Sequence, residues 1–153
     1  MVTIRLATTA DIPQLVVLLA ELFTLEADFQ VDPEKQADGL GLLIASPKDV
    51  VLVAELIDTD TVIGMCSVQT LISTAEGGAV GIVEDLIISK AYRKQGIASG
   101  LLAAVFNWSE RQGLKRLQLL ADQNNSDALD FYKKQGWQTT QLICLRAAEY
   151  NSL

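Results

Sequence analysis

Histidine is absent from this chain, and its absence removes Ser-His-Asp and Cys-His hydrolases, imidazole metal ligands and imidazole acid-base chemistry together. Any catalysis must run on carboxylates, tyrosine, lysine or backbone groups. Cysteine is scarce: Cys66 and Cys144 stand far apart, each in an apolar segment, which suits buried packing residues better than a disulfide, a zinc site or a nucleophile. No apolar run approaches the roughly 20 residues of a membrane helix. The opening residues Met1-Val2-Thr3-Ile4-Arg5-Leu6 alternate like a strand and lack the charged-then-apolar layout of a signal peptide. A soluble, cytoplasmic protein is expected. Positive charge is in deficit, with a formal net charge of -7; this argues against general nucleic-acid binding and is compatible with a cationic small substrate. Internal repeats, low-complexity tracts and Pro/Gly/Ser linkers are missing as well, so residues 1–153 read as one domain.

What is present is an ordered alternation of strand and helix patterns. Val2 to Leu6 reads as a strand, and Thr9 or Asp11 then caps a helix with Pro13 in its first turn and Leu15, Leu18, Leu19 and Leu22 on one face. An acidic connection carrying Glu26, Asp28, Asp32 and Glu34 leads to a second helix over Lys35 to Ala45, stopped before Pro47. Val50 to Leu56 and Thr61 to Leu71 form a hairpin, and Ala79 to Ile88 is a further strand interrupted by Glu84-Asp85. A helix over Arg93 to Gln112, a strand at Leu117 to Ala121, a short helix at Ser126 to Gln135 and a last strand at Gln138 to Arg146 complete the reading. Trp108, Trp137 and Tyr92 read as packing residues.

The run Ile87 to Leu102, IISKAYRKQGIASGLL, sets a basic, glycine-bearing turn between a strand and a helix. Unpaired N–H groups at a helix start converge on one point, glycine permits close approach, and the helix dipole favours negative charge there. This is the layout of an anion site. It carries neither G-x-x-x-x-G-K-[ST] nor G-x-G-x-x-G. Arg93-x-x-Gly96-x-Ala98 resembles instead the Q/R-x-x-G-x-G/A pattern of the GCN5-related N-acetyltransferases (GNAT). Downstream, Asn125-x-x-Ala128-x-x-Phe131-Tyr132-x-x-x-Gly136-Trp137 resembles that family's N-x-x-A-x-x-L/F-Y-x-x-x-G-F, with tryptophan in place of the usual phenylalanine.

The resemblance extends over nearly the whole chain. It implies an α/β (α+β) GNAT fold: a mixed, mostly antiparallel central sheet flanked by helices, whose strands Ile82 to Ile88 and Leu117 to Ala121 splay to hold CoA. It also implies acetyl-CoA as cosubstrate and no metal. Backbone groups of Leu86, Ile87 and Ile88 would meet the pantetheine arm and acetyl carbonyl. The segment Arg93, Lys94, Gln95, Gly96, Ile97, Ala98 and Ser99 would hold the pyrophosphate, with Arg93 and Lys94 adding charge. Asn125 and Tyr132 would touch the CoA arm, and Tyr132 would be the general acid for the departing thiolate, against its plainer reading as a core aromatic.

An alkyl amine with a pKa near lysine's, about 10.4, is mostly protonated at neutral pH, so a base is needed before nitrogen can attack a thioester. Glu84 and Asp85 are the candidates, because carboxylates in an apolar strand are costly unless used. Strand alternation groups Glu84 with Leu86 and Ile88, and some members of the family place a glutamate there, which favours Glu84. The pair fits structural hydrogen bonds or ion pairs equally well. The acceptor cleft implied by the resemblance involves the first two helices, where the acidic connection either attracts a cationic amine or is simply a solvated loop. The function expected is direct acetyl transfer, in a ternary complex, to a primary amine of a small molecule. Acetylation of a protein N-terminus or lysine, or a non-catalytic CoA-binding sensor, are the competing readings. Neither nucleic acid nor membrane is an expected partner, and a homodimer is compatible with the resemblance.

Overall fold

The strand Val2–Leu6 (β1) pairs antiparallel with Val50–Leu56 (β2), which pairs with Thr61–Ser73 (β3), and β3 with Gly78–Ile88 (β4). Leu117–Leu119 (β5) joins β4 in parallel, so spatial order follows chain order. This computed structural model describes residues 1–26 and 29–148. The chain forms two compact units, Met1–Leu119 and Leu120–Leu153.

In the first unit, Ile12–Leu25 (α1) and Pro33–Ala45 (α2) cover one face of the sheet. Leu15, Leu18, Leu19 and Leu40 pack there on Val51, Val53, Val62, Met65 and Ile87. Ile97–Arg111 (α3) packs on β1 to β4, with Leu101, Leu102, Val105 and Trp108 buried. Asp11 accepts the Thr8 N–H at 2.7 Å and binds Arg5 through two bonds of 2.8 and 2.9 Å, while Arg5 also pairs with Glu55 of β2. These bonds tie the start of α1 to the two strands beneath it. Asp32 caps α2 by accepting the Lys35 N–H, with Pro33 in the first helical position, so that helix starts two residues ahead of the sequence reading.

Three expectations change. The helix after β4 starts at Ile97, not Arg93: Lys90–Tyr92 is a 3-10 turn, and Lys94 (φ +61°) and Gly96 (φ +80°) are left-handed, which no helical run accommodates. In the second unit, Ser126–Lys134 (α4) forms as read, but Gln138–Arg146 is not a strand. Leu142, Ile143 and Leu145 there are 85%, 80% and 85% exposed; alternation supplies a strand's propensity, whereas a ladder makes the strand. Cys144 is exposed, not a packing residue, because it lies in that same segment; Cys66 is buried as expected. Among the described residues no helix is long and apolar enough to cross a membrane. Asp28 of the acidic connection lies outside the described residues.

Candidate active site

The acidic pair lies at a fault in the sheet. Ser67 faces Glu84 and Met65 faces Ile87, so one residue of β3 stands opposite two of β4, Asp85 and Leu86. This is a β-bulge, with Asp85 left-handed at φ +55°. The extra residue reverses the alternation beyond it. Glu84 shares a face with Ser67, Met65 and Ile87, not with Leu86 and Ile88 as regular pleating predicts. The Glu84 carbonyl, displaced from the ladder, accepts the Ser67 hydroxyl at 3.2 Å and the Cys66 thiol at 3.8 Å. Ser67 is fully buried.

Glu84 is exposed, and Gln69 donates to its carboxylate at 3.5 Å. Asp85 is half-buried, and its carboxyl is pushed up to about 6, chiefly by burial and further by the charges of Glu84 and Glu26. Glu26, on the connection after α1, thus belongs electrostatically with the β4 pair. Burial pushes the Cys66 thiol up to about 12, with the Asp85 charge adding to it, so this thiol stays protonated and is no nucleophile.

Beyond the bulge β4 loses its parallel neighbour. The β4–β5 ladder runs only over Gly81, Ile82 and Val83, leaving Glu84 to Ile88 without a β5 partner. That stretch, which includes Leu86, Ile87 and Ile88, leads into the basic turn. Lys94, Gln95 and Gly96 are exposed at the start of α3, while Ile97 is buried and Ala98 and Ser99 are half-buried. The N–H groups of a first helical turn have no preceding carbonyls within the helix to bond, and the left-handed residues at 94 and 96 bend the backbone ahead of them. Arg93 does not point its charge freely outward: its Nε donates to the Ile88 carbonyl at 2.8 Å and its Nη2 to Glu21 of α1 at 3.3 Å. Beside the turn, Val2, Ile4, Gln95, Gly96, Ile97 and Gly100 line a shallow cavity of about 270 Å³.

Asn125 and Tyr132 belong to the second unit. Asn125 caps α4, its side-chain oxygen accepting the Ala128 N–H at 3.1 Å, so the motif asparagine has a local structural task. Tyr132 is half-buried, with ring centroids 5.3 Å from Phe131 and 6.0 Å from Trp137, both edge-on. Trp108 is buried in the first unit and Tyr92 half-buried.

Reading the sequence did not single out Glu21. One signal was available, since Glu21 is the sole charged residue in α1.

Residues 16–137 match the model of the Acetyltransferase (GNAT) family. Aminoalkylphosphonate N-acetyltransferase from Salmonella typhimurium is 26% identical over 144 residues, 94% of this chain and 90% of that protein. Among solved structures, a protein from Bacillus halodurans C-125 described as a transcriptional regulator superposes with a TM-score of 0.83 at 24% identity, covering 96% of this chain and 99% of that one. A Clostridium acetobutylicum protein described as a predicted acetyltransferase with acetyl-CoA superposes with a TM-score of 0.79 at 21% identity, covering 98% and 99%.

Proposed function

The chain belongs to the acetyltransferase (GNAT) family and is an acyl-CoA-dependent N-acetyltransferase, and from that premise we propose that it moves an acetyl group from acetyl-CoA to a primary amine of a small molecule, directly, within a ternary complex. The observation that carries this reading is the half-buried Asp85, its carboxyl pushed up to about 6, on the stretch of β4 that has lost β5 and runs into the basic turn. A base with a pKa near the working pH is both ionised and able to hold a proton in transit.

Asp85 takes the proton from the ammonium, and Glu84 and Glu26 supply the negative field that draws the cation in and raises Asp85. The freed amine nitrogen bonds to the thioester carbon, and the carbon–sulfur bond breaks as Tyr132 gives its hydroxyl proton to the departing sulfur. The second proton leaves the nitrogen to solvent, from which the tyrosinate is reprotonated, giving the neutral amide and the CoA thiol. The CoA thiol resembles a cysteine's, with a pKa of about 8.5, so the thiolate is a competent acceptor of that proton. Lys94 to Ala98 would hold the pyrophosphate through backbone N–H groups, and the run of β4 through Leu86, Ile87 and Ile88, open on its β5 side, would bond the pantetheine amides. Arg93 serves the turn by fastening it, and Asn125, whose side-chain oxygen caps α4, would offer its amide N–H groups to the CoA arm.

The test is release of free CoA from acetyl-CoA across polyamines, aminoalkylphosphonates, aminoglycosides, amino acids, arylalkylamines and short peptides, with the thiol signal of the protein itself subtracted. Turnover with a small amine is expected; turnover confined to the peptides would overturn the small-molecule reading.

A further inference from the structure

The turn that precedes α3 is an improbable conformation for the chain to hold unaided. It contains a non-glycine residue, Lys94, in the left-handed region at φ +61°, followed two residues later by Gly96 at φ +80°, and a residue with a Cβ is disfavoured in that region by the clash of Cβ with the following carbonyl oxygen. The first residues of the turn are in a 3-10 arrangement, Lys90–Tyr92, which is too short to be self-supporting. Yet a site that binds an anion through backbone N–H groups works only if those groups already converge, since ordering them on binding would consume affinity.

Within the turn the Tyr92 N–H donates to the Ser89 carbonyl at 2.9 Å, and the Ser89 N–H is held by the Ile63 carbonyl of β3 at 2.8 Å; the side-chain bonds that fix the rest come from outside it. Glu21 Oε2 accepts the Lys90 N–H at 3.2 Å and the Arg93 Nη2 at 3.3 Å, while Arg93 Nε donates to the Ile88 carbonyl at 2.8 Å. One carboxylate oxygen on α1 therefore holds the beginning and the middle of the turn, and the same arginine ties it back to the end of β4. Glu21 and Arg93 are each about one-third exposed, enough burial for the bond to resist screening better than a surface pair. The remainder of α1 carries no charge, and a lone carboxylate in such a helix is costly unless it has this kind of partner.

We infer that Glu21 is a positioning residue for the anion-binding turn: through Lys90 and Arg93 it pre-sets the N–H groups of Lys94 to Ala98, and it sets the affinity for the CoA pyrophosphate without touching it. This rests on the acyl-CoA reading of the turn. Three consequences separate it from a merely structural role. Removing Glu21 should weaken CoA binding, glutamine should restore part of the loss because its amide oxygen still accepts from Lys90, and the loss should be the same one that removing Arg93 causes.

The experiment is calorimetric titration of the full chain with CoA for the wild type, Glu21→Gln, Glu21→Ala, Arg93→Ala and the Glu21→Ala/Arg93→Ala double variant, with hydrogen–deuterium exchange on each free protein. Glu21→Ala is expected to raise Kd roughly tenfold, the scale of one charge-assisted hydrogen bond, with Glu21→Gln between it and the wild type. The double variant should bind no worse than about twofold below Arg93→Ala alone, because both single changes break one network. Exchange should quicken in the segment 89–98 and nowhere else. Losses that add, a glutamine variant as weak as alanine, unchanged Kd, or exchange quickened throughout the chain would each overturn the assignment. If Glu21→Ala does not fold, Glu21→Gln and Arg93→Lys carry the same comparison. A wild type that binds no CoA would overturn the functional reading and this inference together, whereas a wild type that binds with Glu21 variants unaffected overturns the inference alone.

Discussion

At Asp85 two unfavourable features coincide: a left-handed backbone at φ +55° and a carboxyl half-buried beside other carboxylates. Strain and perturbed ionisation in one residue are what the proposed role of Asp85 as the base requires of its surroundings. Because its pKa in the folded chain, about 6, lies above the ordinary value of 3.8, the folded state keeps a proton that the unfolded state has released between those two values. Folding stability therefore falls as pH rises through that window, and the full cost is present above it. Asp85→Asn is expected to melt above the wild type at about pH 8, with the difference closing as pH falls below about 4. The same change should lower kcat by roughly a hundredfold or more and abolish the acid limb of the kcat/KM profile near pH 6, the scale of a lost general base. A wild-type profile with no limb near 6 would remove Asp85 from the role. For Tyr132→Phe the expected outcome is a fall in kcat with acetyl-CoA binding kept within about twofold, read from steady-state kinetics and calorimetry side by side.

That an acidic pair interrupts the apolar strand β4 was legible in the sequence; which member faces which way was not. The alternation argument assumed a regular strand, and the extra residue that inverts it is announced by no glycine, because Asp85 itself adopts the left-handed conformation. Aspartate is among the few residues that tolerate it. Glu21 was visible as a lone charge in an apolar helix, but its partners, Lys90 and Arg93, lie far along the chain and only the fold brings them to it.

Among the elements, α1 is held at both ends by charge. At its start the Arg5–Asp11–Glu55 network joins it to β1 and β2; the Arg5 bonds hold the Asp11 carboxyl below the usual range, and Asp11 in turn holds the guanidinium above its own. Near its other end Glu21 reaches the turn before α3. Asp11 is 5% exposed, so Asp11→Ala removes a buried carboxylate that accepts from the Thr8 N–H and from both terminal nitrogens of Arg5. We expect a loss of about 2 kcal/mol in urea unfolding, the range for charge-assisted bonds, against near-neutral change at exposed Asp58. Since the depressed carboxyl stabilises the fold above its unfolded pKa, that loss should shrink as pH falls through the acid range. Strands and helices with strong periodicity, β1 to β4 and α1, were readable because local pattern and packing agree there. The start of α3 was misplaced because left-handed backbone at Lys94 leaves no signature in residue type, and Gln138–Arg146 was read as a strand because propensity cannot supply a pairing partner.

For the whole molecule, the missing histidines leave carboxylates, tyrosine, lysine and backbone groups for the chemistry, and the two family motifs fall in separate compact units, Arg93 to Ala98 in the first and Asn125 to Trp137 in the second. Family membership establishes the class of reaction; the small-amine acceptor is the proposal, supported by the acidic surroundings of Asp85. The most direct measurement is mass spectrometry of a small primary amine, beginning with an aminoalkylphosphonate and a polyamine, after incubation with the full chain and acetyl-CoA labelled in the acetyl group. The account predicts a labelled N-acetyl product formed at a rate that Asp85→Asn abolishes. Acetyl-CoA bound and left intact beside every small amine, with label appearing instead on a peptide or nowhere, would contradict it.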